Sequence, residues 1–210
     1  MPLEFVQFQL DPMDNNTYLV ADTVSGQSAV IDPSFNSQVV LKTASLRGWT
    51  VSAIWLTHAH FDHIAGISAL QECFPIPLPI GLHPDDLPLW RQSGGAHLFG
   101  LQVEPGPEPT HLFSHGEKLA LGEQILEVRH TPGHTPGHVI VYSAELGAAF
   151  CGDLIFFRGV GRTDLPGSSH SLLLRSIREQ VFSLPPLTRL FCGHGPETTV
   201  ADELRENPFL

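Results

Sequence analysis

Short apolar runs alternate with polar segments along the chain, and their order predicts strands first, followed by helices and strands in alternation. Three early runs have strand composition and predict a β-meander: residues 4–10, 17–21 and 28–31. A helix is expected next, capped by Asn36 or Ser37 and ending near Arg47.

The second half of the chain is expected to continue this alternation. Apolar residues at helical spacing predict a helix over 169–184, followed by a strand over 188–192 and a closing helix over 198–206. The region 84–116 is rich in proline and glycine and predicts a loop insertion that forms a lid or one wall of a pocket. With 210 residues, the chain is expected to form one domain over 1–210.

One short run carries most of the information about chemistry: His58-Ala59-His60-Phe61-Asp62-His63. It lies between a strand-like segment, 53–56, and a segment with helical spacing, 64–70. His58 and His60 can point the same way from an extended turn, whereas Asp62 and His63 enter the helix and can diverge toward a second metal. Imidazole and carboxylate are ligands that Zn, Fe and Mn accept.

Three other places in the chain offer the ligands that a hydrolytic metal site still needs. His134 lies in the run TPGHTPGH, in which proline and glycine favour tight turns. Asp153 ends the apolar strand of 149–153, and His194 follows a second apolar run within 190–196. Because functional groups collect at strand ends and on the adjacent loops, we expect these side chains to meet.

The order HxHxDH, TPGHTPGH, a strand ending CGD, and CGHGP resembles the metallo-β-lactamase superfamily over almost the whole chain. Within it, the chain is most similar to short, type II glyoxalase-like hydrolases, also called hydroxyacylglutathione hydrolase-like proteins. The run GRTDLPG at 161–167 is the most subfamily-specific element. The resemblance implies an α/β fold, a four-layer αββα sandwich with helices outside two facing sheets and metals at one sheet edge.

The resemblance also implies a site for two divalent ions, with zinc expected and iron or manganese as alternatives. It assigns one metal to His58, His60 and His134. It assigns the second metal to Asp62, His63 and His194, with Asp153 bridging the two. Asp62 and His63 would then act in catalysis by binding metal and orienting the attacking water.

Residues near these motifs are expected to support the site. His138 opens a strand and Asp32 ends one, so both are interpreted as hydrogen-bonding partners behind the ligands. Arg162 has two open interpretations, a contact to a substrate carboxylate or a salt bridge with Asp164. Phe156 is expected to line the same rim.

Cysteines and the remaining histidines are not expected to bind metal. The three cysteines are odd in number and widely spaced, which is not typical of a disulfide framework, and Cys151 and Cys192 are interpreted as buried thiols. Six histidines lack ligand spacing and are expected on the surface or on loops, although two of them, His97 and His111, lie in the predicted insertion: His83, His97, His111, His115, His130 and His170.

The expected activity is hydrolysis of a thioester, such as S-lactoylglutathione or a related acyl-thiol, by a metal-bridging hydroxide. A thiolate, with a parent pKa of about 8.5, leaves without a strong general acid, and the sequence offers no acid beyond the ligands. A persulfide dioxygenase with a single iron is the alternative, as is a hydrolase of another ester or a lactone. Full-length type II glyoxalases carry a further helical domain for glutathione, so the thiol is left open.

The composition of the chain favours a small-molecule substrate over nucleic acid or a membrane as the binding partner. A formal net charge of −11 disfavours a nucleic-acid surface. No apolar run approaches the ~20 residues that span a bilayer. The first residues lack the features of a signal peptide, so a cytoplasmic location is expected. The sequence does not indicate an oligomeric state.

Overall fold

Two six-stranded sheets pack face to face in a computed structural model of the protein, which describes residues 2–210. The first sheet contains, in spatial order, β1 (Leu3–Leu10), β2 (Asn15–Asp22), β3 (Gln27–Ile31), β4 (Thr50–Trp55), β5 (Ile80–Leu82) and β6 (His111–Leu112). The second contains β7 (Lys118–Leu121), β8 (Gln124–His130), β9 (Val139–Ser143), β10 (Ala148–Gly152), β13 (Arg189–Cys192) and β14 (Thr198–Thr199). A separate two-stranded ribbon pairs β11 (Ile155–Phe156) with β12 (Gly159–Val160).

The helices are short and lie between these strands in the chain. They are α1 (Val39–Leu46), α2 (Phe61–Ile64), α3 (Ile67–Gln71), α4 (Leu87–Trp90), α5 (His170–Ser176) and α6 (Val200–Glu206). A π-helical turn over Ile177–Val181 extends α5, and 3₁₀ turns cover Pro84–Asp86 and Ser93–Phe99. Among residues 2–210, no helix has the length and apolar character needed to cross a membrane.

Three apolar clusters define four layers. Because side chains alternate along a strand, neighbouring residues of β2 belong to different clusters. Val20 faces the second sheet and packs in the cluster that contains Val128, whereas Leu19 packs with α1 and α3 on the outer face. On the other outer face, Leu173 of α5 packs in the cluster that contains Leu190 of β13. The predicted αββα sandwich is confirmed.

Strand direction gathers the functional loops at one end of the sandwich. The meander β1–β2–β3 is antiparallel, as predicted, but β4 runs parallel to β3 and to β5. In the second sheet β10 runs parallel to β13. The loops after β4, β8, β10 and β13 carry the metal-ligand candidates, and strands that run in the same direction end at the same sheet edge.

Two helix predictions need correction. The first helix begins at Val39 after Gln38, so neither Asn36 nor Ser37 is its cap. Asn36 has a φ of 60°, a left-handed conformation from which the chain does not enter a helix directly. The helical segment after His63 is broken into α2 and α3 at Gly66, where a Cβ atom would lie 2.0 Å from the carbonyl oxygen of Ser34.

The region 84–116 is more regular than the predicted loop insertion. Its first half folds into α4 and the two 3₁₀ turns, and its second half adds the short edge strand β6. Phe99, at the end of the second turn, lines the cavity beside the functional loops, so this part of the insertion forms a pocket wall.

Replacing Phe191 with alanine should lower the free energy of unfolding by about 3–5 kcal/mol, because its buried ring packs between the sheets. The ring centroid of Phe191 lies 4.5 Å from that of Phe5 and 5.6 Å from that of Phe150. Chemical denaturation measures the change. Leu187→Ala is the control, since Leu187 is 85% exposed and its loss should cost no more than about 0.5 kcal/mol. Equal effects of the two substitutions would contradict this description of the core.

Candidate metal centre

Loops at one end of the two sheets bring all the predicted ligand side chains together. The first sheet contributes four, on the loop after β4 and on α2: His58, His60, Asp62 and His63. The second sheet contributes three, which follow β8, β10 and β13: His134, Asp153 and His194. Six of these side chains, all except Asp153, place their donor atoms in two sets, each with atoms no more than 4.8 Å apart.

The first set consists of three buried imidazoles, those of His58, His60 and His134. Nδ1 of His60 lies 2.8 Å from Nε2 of His134. The ring centroid of His58 is 4.9 Å from that of His60 and 4.8 Å from that of His134. Three nitrogens can therefore serve one cation from three sides, which leaves room for an additional ligand.

The second set combines Asp62, His63 and His194. Oδ2 of Asp62 lies 3.2 Å from Nε2 of His194 and 3.7 Å from Nε2 of His63. His63 is fully buried, whereas His194 is partly exposed, so this set borders the open cavity.

Asp153 lies between the two sets. Its Oδ2 is 3.7 Å from Nε2 of His134 in the first set and 3.8 Å from Nε2 of His194 in the second. Its Oδ1 is 3.3 Å from Nε2 of His63. Only glycine fits at position 193, because a Cβ atom there would lie 2.2 Å from Oδ1 of Asp153. A carboxylate in this position is suited to bridge two ions.

Buried atoms without hydrogen-bond partners test whether the residues fit metal ions. Nε2 of His58, Nε2 of His63 and Oδ1 of Asp153 are buried and have no hydrogen-bond partner. Buried polar atoms are nearly always paired, so each unpaired atom requires an explanation. His58 and His63 belong to the two sets and Asp153 lies between them, so coordination of metal ions would satisfy all three atoms. The residues fit a pair of divalent ions.

The first set is neutral, the form in which imidazole binds metal. Burial lowers the pKa of His58 well below its usual range, and the neighbouring imidazoles of His63 and His134 lower it further. Burial likewise lowers the pKa of His60 to about 3. For His134, burial lowers the pKa although Asp153 opposes the shift.

The second set balances its carboxylates with protonated imidazoles. Burial acts to lower the pKa of His63, but Asp153 and Asp62 raise it well above its usual range. Burial also opposes protonation of His194, yet its hydrogen bond to Asp62 raises the pKa. Burial acts to raise the pKa of Asp62, but His63 and the hydrogen bond with His194 lower it to about 2. The protons supply positive charge where a divalent cation would supply it.

Asp32 orients a ligand from each set. Its Oδ2 accepts hydrogen bonds from Nδ1 of His63 at 3.0 Å and from the hydroxyl of Thr57 at 2.6 Å. Since the Thr57 proton points to Asp32, the Thr57 oxygen accepts from Nδ1 of His58, 3.0 Å away. On binding metal, both imidazoles would present an unprotonated Nε2, and His63 would release its proton. This is the supporting geometry expected of Asp32.

Asp86 has a comparable place that the sequence did not reveal. Its buried carboxylate accepts hydrogen bonds from the backbone N–H of Ala59 at 3.0 Å, the backbone N–H of Gly137 at 2.6 Å and the hydroxyl of Thr135 at 2.8 Å. Ala59 separates His58 from His60, and Thr135 follows His134. Asp86 thus ties together the two loops that build the first set. Burial raises its pKa to about 6 even though these three hydrogen bonds oppose the shift.

Two asparagines at the start of β2 hold the second set, and they too were missed. Nδ2 of Asn15 donates to Oδ2 of Asp62 at 3.0 Å. Nδ2 of Asn16 donates to the carbonyl oxygens of Cys192 and Gly195, at 3.0 and 2.8 Å, on either side of His194. The only signal in the sequence was the pair of amides immediately before a buried strand.

His138 lies behind the first set. Its Nδ1 is 2.8 Å from the hydroxyl of Thr131, and its ring centroid is 5.2 Å from that of His58. Among the described residues, the groups able to hold a metal do not include His138. Burial, together with His134, lowers its pKa well below the usual range, so the ring is neutral.

A cavity of about 380 Å³ opens onto both sets. Its lining includes Arg162 and Phe156, the two predicted substrate contacts. Arg162 is paired with Asp164 by two hydrogen bonds, at 2.7 and 2.8 Å, and its carbonyl oxygen accepts from Nδ1 of His134 at 2.8 Å. The salt bridge that the sequence left open is present, and the guanidinium also reaches the cavity wall.

The remaining histidines and cysteines behave differently from the ligands. His83 is buried rather than on the surface, and together with Asp85 and His130 it forms another group with closely spaced donor atoms. The rings of His83 and His130 are stacked at 3.9 Å and 8°, so their lone pairs run side by side and do not converge. Cys151 and Cys192 are buried thiols whose pKa values burial raises, to about 12 for Cys192.

Comparison with known proteins identifies the family. A sequence profile of the Metallo-beta-lactamase superfamily matches residues 10–194, and the chain belongs to that superfamily. A relative from Bacillus subtilis, named probable metallo-hydrolase YqgX, is 36% identical over 212 residues, which cover 99% of this chain and 98% of the relative. Hydroxyacylglutathione hydrolase GloC from Haemophilus influenzae is 33% identical over 184 residues, 87% of each chain.

Solved structures give the same fold. BLEG-1, described as a B3 metallo-beta-lactamase, is 34% identical with a TM-score of 0.89 and covers 99% of both chains. TTHA1623, solved in a di-iron-bound form, is 41% identical with a TM-score of 0.87, covering 98% of this chain and 100% of that one. ETHE1 from Myxococcus xanthus is 26% identical with a TM-score of 0.80, covering 98% and 83%. The protein is a metallo-hydrolase of this superfamily.

Asp86→Asn should weaken metal binding by roughly 10- to 100-fold and lower the free energy of unfolding by about 1–3 kcal/mol. The amide cannot accept on both sides, so at least one of the N–H groups of Ala59 and Gly137 loses its partner. Calorimetric metal titration and chemical denaturation measure the two effects. The matched control is Asp85→Asn, because the side chain of Asp85 is largely exposed. If Asp86→Asn bound metal as tightly as Asp85→Asn, Asp86 would not hold the ligand loops.

Proposed function

We propose that the protein hydrolyses a small-molecule thioester with two divalent ions bound by the residues described above. The proposal depends on the position of Asp153. Its carboxylate lies between a set of three histidines and a set of one aspartate and two histidines. His58, His60 and His134 would hold one ion and Asp62, His63 and His194 the other. Zinc is the proposed metal; the di-iron form of TTHA1623 supports iron as an alternative.

The ions would supply an acidified water as nucleophile and a Lewis acid for the carbonyl oxygen. The chain itself holds the seven donors in fixed orientations, through Asp32 behind His58 and His63 and through Asp86 between the loops. His63 and Asp62 would orient the water from the second set. The enclosed side of the first set excludes bulk solvent, because all three of its imidazoles are buried.

The side chains that line the cavity favour a thiolate as leaving group. Apart from the proposed ligands, Arg162 is the one ionisable residue among the described residues that line it, and its hydrogen bonds to Asp164 raise its pKa. Within residues 2–210, no other side chain of the cavity wall is therefore placed to protonate a departing amine. A thiolate needs little such help, because its parent pKa is about 8.5. The hydroxyacylglutathione hydrolase name of the Haemophilus relative supports the same choice.

Arg162 and Phe156 are proposed to contact the substrate. Phe156 lies at the cavity wall with its ring centroid 6.3 Å from that of His194, so it can pack against a group bound at the second set. Arg162 can offer its guanidinium to a substrate carboxylate when it exchanges one hydrogen bond with Asp164. His138 is proposed to remain a supporting residue and not a ligand.

The alternative is a single-iron persulfide dioxygenase, and the likeness to ETHE1 favours it. Such a site would leave Asp62, His63 and His194 without a common cation. A second ion would balance the carboxylate charge that raises the pKa of His63, and it would give the unpaired Nε2 of His63 a ligand bond. Another ester or a lactone fits the same nucleophile, and both should be tested as substrates.

The zinc-loaded protein should hydrolyse S-D-lactoylglutathione, measured by the loss of thioester absorbance. His134→Ala should reduce turnover by roughly 100-fold or more, since even residues behind metal ligands are worth 10- to 100-fold. The matched control is His170→Ala, because His170 is exposed on α5 and lies outside both sets. Oxygen uptake with glutathione persulfide, in protein that holds one iron and hydrolyses no thioester, would replace this proposal with the dioxygenase.

Arg162→Ala should raise KM by about three- to tenfold for thioesters whose thiol carries a carboxylate, with little change in kcat. Thioesters of an uncharged thiol should be unaffected, because they offer Arg162 no anion. Asp164→Asn provides the opposite test, since it frees the guanidinium and should lower KM for the same charged substrates. If KM rose equally for charged and uncharged thioesters, Arg162 would support the structure of the loop and would not bind a substrate carboxylate.

A further inference from the structure

An apolar recess opens from the main cavity beside His60. Residues of the 87–99 wall and of the loop after β12 line it together with His60: Leu89, Gln92, Gly94, Gly95, His97, Leu98, Phe99, Leu165 and Pro166. Its volume is about 60 Å³. His60, Phe99 and Leu165 line both the recess and the main cavity, so the two spaces are continuous at the first ligand set. The recess is thus within reach of a group bound at the metals.

Glycine creates the space inside the recess. Gly95 has a φ of 75°, and a Cβ atom there would stand 3.7 Å from one methyl carbon each of Leu89 and Leu98. These two leucines face each other across the position where a side chain is missing. The preceding residue, Gly94, lies so close to the ligand loop that a Cβ atom would meet the backbone nitrogen of Phe61 at 2.3 Å. The wall that contains the recess is therefore fixed against the residues that carry the ligands.

The chemistry of the lining selects an uncharged, apolar group. The residues lining the recess include no acid and no lysine or arginine, and their polar members, other than the His60 ligand, are Gln92 and His97. Leu98 and Phe99 are 51% and 44% exposed, which leaves apolar surface that a bound chain would cover. A carboxylate or ammonium group would lose its hydration there without a partner of opposite charge.

We propose that the recess binds the acyl chain of the substrate and that this chain is short, unbranched and apolar. This inference rests on the proposed thioester hydrolysis and adds the identity of the acyl group. The recess is small, about 60 Å³, so it has room for only a few heavy atoms beyond the carbonyl carbon. Propanoyl and butanoyl groups, with two and three carbons beyond the carbonyl carbon, are of this size.

The test uses thioesters of one uncharged thiol, N-acetylcysteamine, with acetyl, propanoyl, butanoyl, hexanoyl and octanoyl groups. For the zinc-loaded protein, kcat/KM should rise about fourfold for each methylene that enters the recess, the factor that corresponds to ~0.8 kcal/mol. The rise should stop near butanoyl. Leu98→Trp should abolish the rise, and Leu98→Ala should extend it to hexanoyl. The control is Leu101→Ala, because Leu101 is 42% exposed on the same segment but does not line the recess.

A binding measurement separates this proposal from the proposed reaction. S-alkyl thioethers of the same thiol cannot be hydrolysed, and their dissociation constants, measured by ligand-observed NMR with and without zinc, should follow the same chain-length order. If chain length and the Leu98 substitutions change neither binding nor hydrolysis, the acyl assignment is wrong although thioester hydrolysis stands. If binding follows chain length and no thioester is hydrolysed, the recess is an apolar ligand site and the proposed reaction is wrong.

Discussion

The site depends on one constraint: buried carboxylates fix the orientation of the buried imidazoles. A histidine presents a lone pair to a metal only if its other nitrogen carries the proton and donates it to a defined partner. Asp32 supplies this partner directly to His63 and through Thr57 to His58. Asp86 fixes the loops that carry the first set by accepting two backbone N–H bonds. Without these carboxylates, the same ligands would be present but would not converge.

The sandwich makes this convergence possible because each functional residue follows a strand. β4, β8, β10 and β13 end at the same side of the molecule, and the ligands lie within a few residues of those ends. The packing between the sheets is aromatic and tight around Phe150 and Phe191, so the strand ends are held at a fixed separation. Packing of the core thereby sets the distances between the donor atoms on the loops that follow these strands.

Sequence patterns predicted the early meander, the strands that end at the site and the residues that meet there, because each of these has a local signature, whereas the layered architecture followed from the resemblance to the superfamily. Most of the predicted strands lie within one or two residues of their observed bounds, and the metal-capable side chains stand at their ends. Contacts between distant segments have no such signature. Asp86 lies in a proline-rich segment that resembles a loop, and its hydrogen bonds reach residues 27 and 51 positions away. The break at Gly66 was equally hidden, since it depends on the approach of Ser34.

The substrate side of the site is built from a different part of the chain than the metal side. Strand ends provide the donors, whereas the 84–99 turns and the loop after β12 provide the walls. Proteins of this superfamily with the same donors can thus act on different substrates when these walls differ. In this chain the walls combine apolar residues with one guanidinium that is already paired, which favours a substrate with little charge near the reacting carbonyl.

We propose that Asp153 joins two metal positions. Anomalous X-ray diffraction at the zinc edge, from crystals of the zinc-loaded protein, tests this bridging role. Two anomalous peaks about 3.5–4 Å apart are expected, one beside His58, His60 and His134 and one beside Asp62, His63 and His194, with Asp153 in contact with both. A single peak at the three histidines, with Asp62 and His194 still hydrogen-bonded to each other, would contradict it.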